Sequence, residues 1–420
     1  MKVRIEALGC KANQSDAEAL AETLSRRGFA IASEGEPCDA VVINTCAVTN
    51  ESERKSRQLL RRVRAENPGA FVAVAGCYAE TDPQAASCGG AADAVYGASK
   101  RGSIAELLWE ALGMPELVQS APYEKYSVAK ERHRISLKVQ DGCAEGCAYC
   151  VIPKARGTLY SMPPEDALGK ARALAASYKE IVLAGIHLSS YRSQGLDFAG
   201  LVRMIGEQSG IERLRIGSLD PMAAEGRLLS QLAETKPFCP HFHLSLQSGS
   251  DRILALMNRK YDSERYEKAC LRIREAFPQA TITTDVIVGF PSESEADFLE
   301  TLSLVKRVGF AHVHIFPFSA KKGTAAAEYA GQLSAREKRE RGRMLNIEAQ
   351  EAARKVRESF AGQSEAILVE ELNSFGRWEG FTKNYLRASF ESPENCAGKI
   401  VDVVLGKGRG LKTICARLPN

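Results

Sequence analysis

One short stretch limits most what this chain can be: Gln140-Asp141-Gly142-Cys143-Ala144-Glu145-Gly146-Cys147-Ala148-Tyr149-Cys150. Its cysteines are spaced Cys-x3-Cys-x2-Cys, after an apolar alternation (Ile135, Leu137, Val139) that reads as a strand. A Pro153-Lys154-Ala155-Arg156-Gly157 turn follows. Three thiolates on one loop can hold three irons of a cubane cluster, and the missing fourth leaves one iron open for chemistry. A structural zinc site would need a fourth ligand nearby, because such sites are closed and tetrahedral. No His or Cys follows Cys150 closely enough to serve. The loop therefore reads as the seat of a reactive iron–sulfur cluster.

Composition decides the setting of that loop. No run of about 18 uncharged apolar residues is present, so no transmembrane helix is expected. Residues 1–10 enter a strand-like pattern directly, without the apolar core and cleavage site of a signal peptide, so the expected location is cytoplasmic. There, twelve cysteines in 420 residues point to metal or redox chemistry rather than to disulfides. The length implies two or three domains. A net charge of +4 leaves a nucleic-acid partner open, since local patches decide such binding.

Over residues 1–113 short apolar runs alternate with helical ones. The runs at 3–8, 40–44 and 70–75 end at Gly9-Cys10, Thr45-Cys46 and Gly76-Cys77. A helix is expected over 15–27, opened by the cap pair Ser15 and Asp16, and a long charged one over 50–66. This alternation means an N-terminal α/β domain with a parallel sheet and crossover helices. Cys10, Cys46 and Cys77 then all lie just past strand carboxyl ends, the edge where open α/β sheets bind ligands. A structural cysteine more often sits within a strand, so the three read as thiolates of a second cluster. Cys38 and Cys88 lack that placement. Arg54, Lys55, Arg57, Arg61, Arg62 and Arg64 make the second helix basic, either as a solvated face or as a face for RNA phosphates.

Residues 114–132, with Pro115 and Pro122, read as a linker. A second alternating series follows, with candidate strands at 135–140, 180–184, 213–216, 242–247, 281–289 and 312–317. Six strand–helix repeats fall short of the eight in a closed barrel. An open, partial (β/α)6 barrel is expected over 133–361, with the cysteine loop after its first strand. Its strand ends carry Gly185, Ser218, Asp220, Gln247, Gly289 and Phe318, and glycine there lets backbone approach a ligand closely. His187, His243 and His314 are either ligands or acid–base groups, or hydrogen-bonded strand-end residues. A helix of mixed charge from Ser334 to about 361 reads as a solvated connector.

The tail, 362–420, changes to short strand-like runs between Gly, Asn and Pro, which reads as a small antiparallel β-barrel. Phe375, Trp378, Phe381 and Tyr385 are interleaved with Arg377, Lys383 and Arg387. The aromatics either stack on RNA bases beside phosphate-binding cations or fill the barrel core.

Over essentially its whole length the chain resembles the radical S-adenosylmethionine (SAM) methylthiotransferases. Cys143-x3-Cys147-x2-Cys150, with Tyr149 before the last cysteine, matches the radical SAM signature. Leu8-Gly9-Cys10-Lys11-Ala12-Asn13-Gln14, Asn44-Thr45-Cys46 and Ala75-Gly76-Cys77 match the cysteine triad of that family's N-terminal domain, and the tail matches its RNA-binding TRAM barrel. Gly185-Ile186-His187-Leu188-Ser189-Ser190-Tyr191 and Phe390-Glu391-Ser392-Pro393-Glu394-Asn395 are similar to the bacterial branch acting on threonylcarbamoyladenosine. Lys154 and Arg192 depart from it, near the substrate mouth that the resemblance implies.

The resemblance implies two 4Fe–4S clusters, one on Cys143, Cys147 and Cys150 that cleaves SAM to a radical, one on Cys10, Cys46 and Cys77 that carries the methylthio sulfur. It implies SAM contacts from Tyr149, Gly185, Ser218, Asp220, Gln247, Asp285, Gly289 and Phe318. The expected reaction is methylthiolation of N6-threonylcarbamoyladenosine at tRNA position 37, with an external reductase and sulfur donor. Such a mechanism requires the triads to face each other across one cavity with room for SAM and a flipped-out base. Isopentenyl-adenosine or a ribosomal-protein aspartate are the alternative targets. A non-catalytic iron–sulfur RNA-binding or electron-transfer protein is the alternative of a different class.

Overall fold

The computed structural model describes residues 1–113, 133–406 and 413–419, and the linker expected at 114–132 lies outside them. The chain divides into two compact units. The first comprises Met1–Glu131 (described to residue 113), Asp141–Tyr160 and Ser319–Ala327. The second comprises Arg132–Gln140, Ser161–Phe318 and Glu328–Asn420.

The first unit is built on a five-stranded parallel sheet. Its strands run in the order Ala30–Ile31, Lys2–Ala7, Ala40–Thr45, Phe71–Gly76 and Ala94–Gly97. The central run Ala40-Val41-Val42-Ile43 is buried on both faces, as a parallel strand covered by helices must be. Val42 packs toward Leu20 and Leu24, and Val41 and Ile43 pack toward Leu60 and Val63. Thr49 and Ser52 close a capping box at the start of the helix Asn50–Glu66. Of the basic residues on that helix, Arg64 bonds to the carbonyls of Ala70 and Ala91, and Arg57 donates to the Tyr78 hydroxyl. Arg54, Lys55, Arg61 and Arg62 are exposed.

The helix after the first strand begins at Lys11 rather than at the expected Ser15, and Cys10 is its N-cap. Ser15 and Asp16 are buried inside it. They look like cap residues in the sequence, but Asp16 is there to meet a buried arginine.

In the second unit, Arg134–Lys138, Glu180–Ala184 and Arg213–Ile216 form one parallel group, and His241–Leu244, Thr281–Val288 and His312–Pro317 another. A parallel bridge ties Leu214 of the first group to Phe238, in the segment leading into the second. Successive residues point to opposite faces. Leu137, Leu183, Leu214, Phe242, Ile282 and Val286 belong to one apolar core with the surrounding helices. The intervening positions, which face the lumen of this partial barrel, include the polar Lys138, Arg215, His241, His243, Thr283, Asp285 and His314, with the apolar Val182, Ala184, Ile287 and Phe316 beside them. The helix Ala335–Ser359 is more than a connector. Leu345, Ala349, Ala352 and Ala353 are buried along one side, and Arg341 pairs with the buried Glu293.

The tail forms a closed barrel ordered Ser364–Leu372, Trp378–Thr382, Arg387–Phe390, Ile414–Arg417 and Ile400–Leu405. It is antiparallel except for one pair, Arg387–Phe390 with Ile414–Arg417, which runs parallel. The hairpin turn 382–386 plugs the amino end of the larger barrel. Arg213 donates to the carbonyls of Phe381 and Ala366, and Arg215 to that of Lys383. Tyr385, at φ +65°, stacks between Phe381 and His241 with centroids 4.7 and 4.6 Å away. Arg215 lies 4.6 Å over its ring. Two of the aromatics that could have stacked on RNA thus serve docking, whereas Phe375 is 86% exposed.

Candidate active site

In the first unit hydrogen bonds that involve no cysteine side chain hold the three strand ends together. The buried Asn13 side chain donates to the carbonyls of Leu8, Asn44 and Thr45, and Asn44 donates back to Asn13 O at 2.8 Å. Thr45 Oγ1 donates to Ala75 O at 2.6 Å. The Gly-Cys pairs have a steric cause. A Cβ on Gly9 (φ +101°) would stand 2.6 Å from Cys46 Cβ and 2.8 Å from its Sγ. One on Gly76 (φ +95°) would stand 2.4 Å from Asn44 Oδ1. Both positions need glycine's reach into positive φ and its missing side chain.

Cys10, Cys46 and Cys77 thereby share one edge, Cys10 exposed and the other two buried. Burial pushes the Cys77 thiol up to about 11. Arg156 opposes that rise, while Cys10 and Cys46 add to it through like charge. Burial likewise raises Cys46. A set of thiols that perturb one another, with a cation beside them, fits the anionic thiolates that hold an iron–sulfur cluster.

The same unit carries the Cys143–Cys147–Cys150 loop, whose three thiols are half-buried. Gly142 (φ +72°) turns the chain where a Cβ would meet Thr158 O at 2.1 Å. Glu145 N donates to Cys143 Sγ at 3.4 Å. The loop ends in the short helix Ile152–Arg156, and Arg156 points back into the unit with its side chain 1% exposed. Its guanidinium donates to Asp16 Oδ2 at 3.0 Å, to Asp141 Oδ1 at 2.9 Å and to Asn13 Oδ1 at 3.2 Å. One cation therefore ties the residue opening the second cysteine loop to the helix that Cys10 caps. Tyr149 is half-buried on this loop.

The other residues expected to contact SAM lie in the second unit, at the carboxyl side of its strands. Gln247 (φ +70°) is held by backbone bonds to Asp285 and Ile287. Gly185 leaves room for Leu188 and Gln140, and Gly289 (φ +70°) for Lys338. Asp220 caps the turn Pro221–Glu225 and pairs with Arg259 at 3.0 Å. Ser218 bridges to His243, and Phe318 packs edge-on against Phe290. Asp285 differs in lying mid-strand within the lumen, its Oδ2 3.2 Å from His243 Nε2. Of the three histidines expected at strand ends, His243 and His314 converge with Asp285, their ligating atoms all within 4.8 Å. His187 does not join them, and its backbone N–H donates to Gln140 Oε1.

The radical SAM superfamily model matches residues 137–305, and the model of an uncharacterized protein family, UPF0004, matches residues 2–97. A threonylcarbamoyladenosine tRNA methylthiotransferase, MtaB, of Bacillus subtilis is 34% identical over 96% of this chain and 94% of its own. The Aquifex aeolicus protein of that name is 36% identical over 96% of this chain and 100% of its own. A tRNA-2-methylthio-N(6)-dimethylallyladenosine synthase of Pelotomaculum thermopropionicum is 32% identical over 97% and 96%. The chain belongs to the radical SAM methylthiotransferase family. Among solved structures, a radical SAM methyltransferase, TsrM, from Kitasatospora setae shares the fold at a TM-score of 0.55, over 75% of this chain and 74% of that one, with 14% identity.

This methylthiotransferase is an enzyme that works with SAM and 4Fe–4S clusters, and its two thiol sets have the donor chemistry such clusters need. No helix among the described residues is long and apolar enough to cross a membrane. Two features of the methylthiotransferase had no local sequence signal. Arg156 and Asp16 are 140 positions apart. The convergence of His243, Asp285 and His314 is set by register alone, Asp285 lying opposite His314, and His243 opposite Thr283.

Proposed function

We propose that the enzyme exchanges the C2–H bond of N6-threonylcarbamoyladenosine at tRNA position 37 for a C2–SCH3 bond. The observation that carries this reading is end-to-end similarity to several methylthiotransferases named for that nucleoside. In this reading Cys143, Cys147 and Cys150 hold the cluster that engages SAM, and Cys10, Cys46 and Cys77 hold the second. When bound, the clusters and SAM supply the radical and the methylthio sulfur, chemistry that no side chain here could supply. The chain's own task is positioning. Arg156 fixes the loop of one triad against the helix of the other. Tyr149, Gly185, Ser218, Asp220, Gln247, Gly289 and Phe318 take SAM, while Asp285, expected with them, pairs with His243 in the lumen. The macromolecular partner is the tRNA anticodon stem-loop, and a cytoplasmic reductase and sulfur donor complete the system.

Nucleoside mass spectrometry of tRNA from a strain lacking this gene tests the substrate. The 2-methylthio derivative of threonylcarbamoyladenosine should vanish, while that of isopentenyl-adenosine persists. The reverse pattern would favour the isopentenyl target, which the Pelotomaculum relative keeps in view. Both marks intact would remove tRNA adenosines from consideration.

A further inference from the structure

We propose that the His243–Asp285–His314 cluster is the subsite for the N6 substituent of the modified adenosine, built for a polar, carboxylate-bearing group and against a hydrocarbon one. The proposal rests on the threonylcarbamoyl reading above and adds the residues that select it.

The cluster lies midway along the strands, on the face opposite the apolar core. Toward the amino end of the lumen His241 stacks on Tyr385. The carboxyl edge, where glycines and turns line the strand ends, lies on the other side of the cluster from that stack. Thr283 Oγ1 lies 3.0 Å from His241 Nε2 and 2.9 Å from His243 Nδ1. A hydroxyl has one proton, so it can donate to only one of the two imidazoles and must accept from the other. With neutral rings one assignment satisfies every contact. His241 Nε2–H donates to Thr283, Thr283 donates to His243 Nδ1, and His243 Nε2–H donates to Asp285 Oδ2.

That relay engages both nitrogens of His243 and makes Asp285 Oδ2 the acceptor at its end. A three-ligand metal site would have to dismantle it. What this part of the lumen presents instead is the Asp285 carboxylate acceptor beside the exposed imidazole pair His314 and His312, with ring centroids 4.4 Å apart. A threonylcarbamoyl group matches this set. Its carboxylate accepts from imidazole, and its hydroxyl and ureido N–H donate to carboxylate. An isopentenyl group would leave every one of these polar groups without a new partner, and sites built for hydrogen bonding reject such analogues strongly.

The test uses the reconstituted full-length enzyme and anticodon stem-loop RNAs carrying either nucleoside. His314→Phe should lower kcat/KM on the threonylcarbamoyl RNA by about 10- to 100-fold, mostly through KM. The ratio of activity on the threonylcarbamoyl RNA to that on the isopentenyl RNA should fall with it. His314→Gln, which keeps a donor, should recover most of the loss. Iron content and melting temperature report whether the variants fold. If wild type acts on the threonylcarbamoyl RNA and His314→Phe leaves the ratio unchanged, the subsite is wrong while the reaction stands. If wild type acts only on the isopentenyl RNA, the substrate reading falls and the subsite with it. One zinc per chain in the isolated enzyme, lost in His314→Phe, would make this a metal site and overturn the proposal.

Discussion

Arg156 donates to Asp16 at 3.0 Å, joining residues 140 positions apart in the sequence. The side chains are 1% and 4% exposed, and Asp141, at 7%, shares the same guanidinium. Removing one partner of a buried pair costs about 3–5 kcal/mol, because the remaining charge stays buried. Arg101 also reaches both carboxylates, which places the expected loss for Arg156→Met near the lower end, about 3 kcal/mol. Arg156→Lys keeps the charge but not the fork, and should recover only part. Urea midpoints of the two variants, unchanged from wild type, would contradict this account.

Gly9→Ala should act on the N-terminal triad alone. The added methyl would stand 2.8 Å from Cys46 Sγ, on a backbone already at φ +101°. Cys46 has to move, and the set of thiols on that edge loses its geometry. Iron in the reconstituted variant should fall from about eight to about four per chain, one cubane's worth, with the Cys143–Cys147–Cys150 cluster still giving its electron paramagnetic resonance signal.

Cys10→Ala and Cys147→Ala probe the same division directly. Each should retain about four irons, and the double variant almost none, if each triad holds its own cubane. A fall to zero in either single variant would mean one shared cluster.

Much of this was legible in the sequence, and the gaps have physical causes. Glu180–Ala184, Arg213–Ile216 and His312–Pro317 were readable to the residue because apolar alternation stops at Gly or Pro. The start of the helix at Lys11 was not, because Cys10 caps it without a side-chain bond, while Ser15 and Asp16 imitate a cap from inside. The edge strand Ala30–Ile31 is too short to show a period. The role of Arg156 depends on a partner that only folding brings near. Tyr385 was ambiguous for a different reason. Aromatic residues among cations look alike whether they stack on RNA or on a neighbouring domain.

That ambiguity gives a prediction. Phe375 is 86% exposed, whereas Tyr385 is stacked on both sides and covered by Arg215. Phe375→Ala should leave the melting temperature in place and weaken tRNA binding by about 1–3 kcal/mol, the scale of one base–aromatic stack. Tyr385→Ala should lower stability by about 3 kcal/mol, as for other large-to-small changes of a packed aromatic. Gel-shift titrations and thermal melts of the pair separate the two roles, and equal effects on both readouts would refute the division.

Beneath Tyr385, Arg215 and Glu180 are each 1% exposed and joined by two bonds, at 2.8 and 3.1 Å. Burial by itself would raise the Glu180 pKa. The charge and hydrogen bonds of Arg215, helped by Arg134 and Arg213, outweigh it and hold the carboxyl below its ordinary 4.5. A depressed folded-state pKa contributes stability that is present above the unfolded value and lost as pH falls through the folded one. Glu180→Gln should therefore cost about 1.5–3 kcal/mol at pH 7, the worth of hydrogen bonds to a charged group. The gap between variant and wild type should close as the pH is taken below 4.5. Urea unfolding of both proteins at neutral and acid pH measures that gap directly, and a difference independent of pH would show that the carboxylate charge does not anchor the barrel floor.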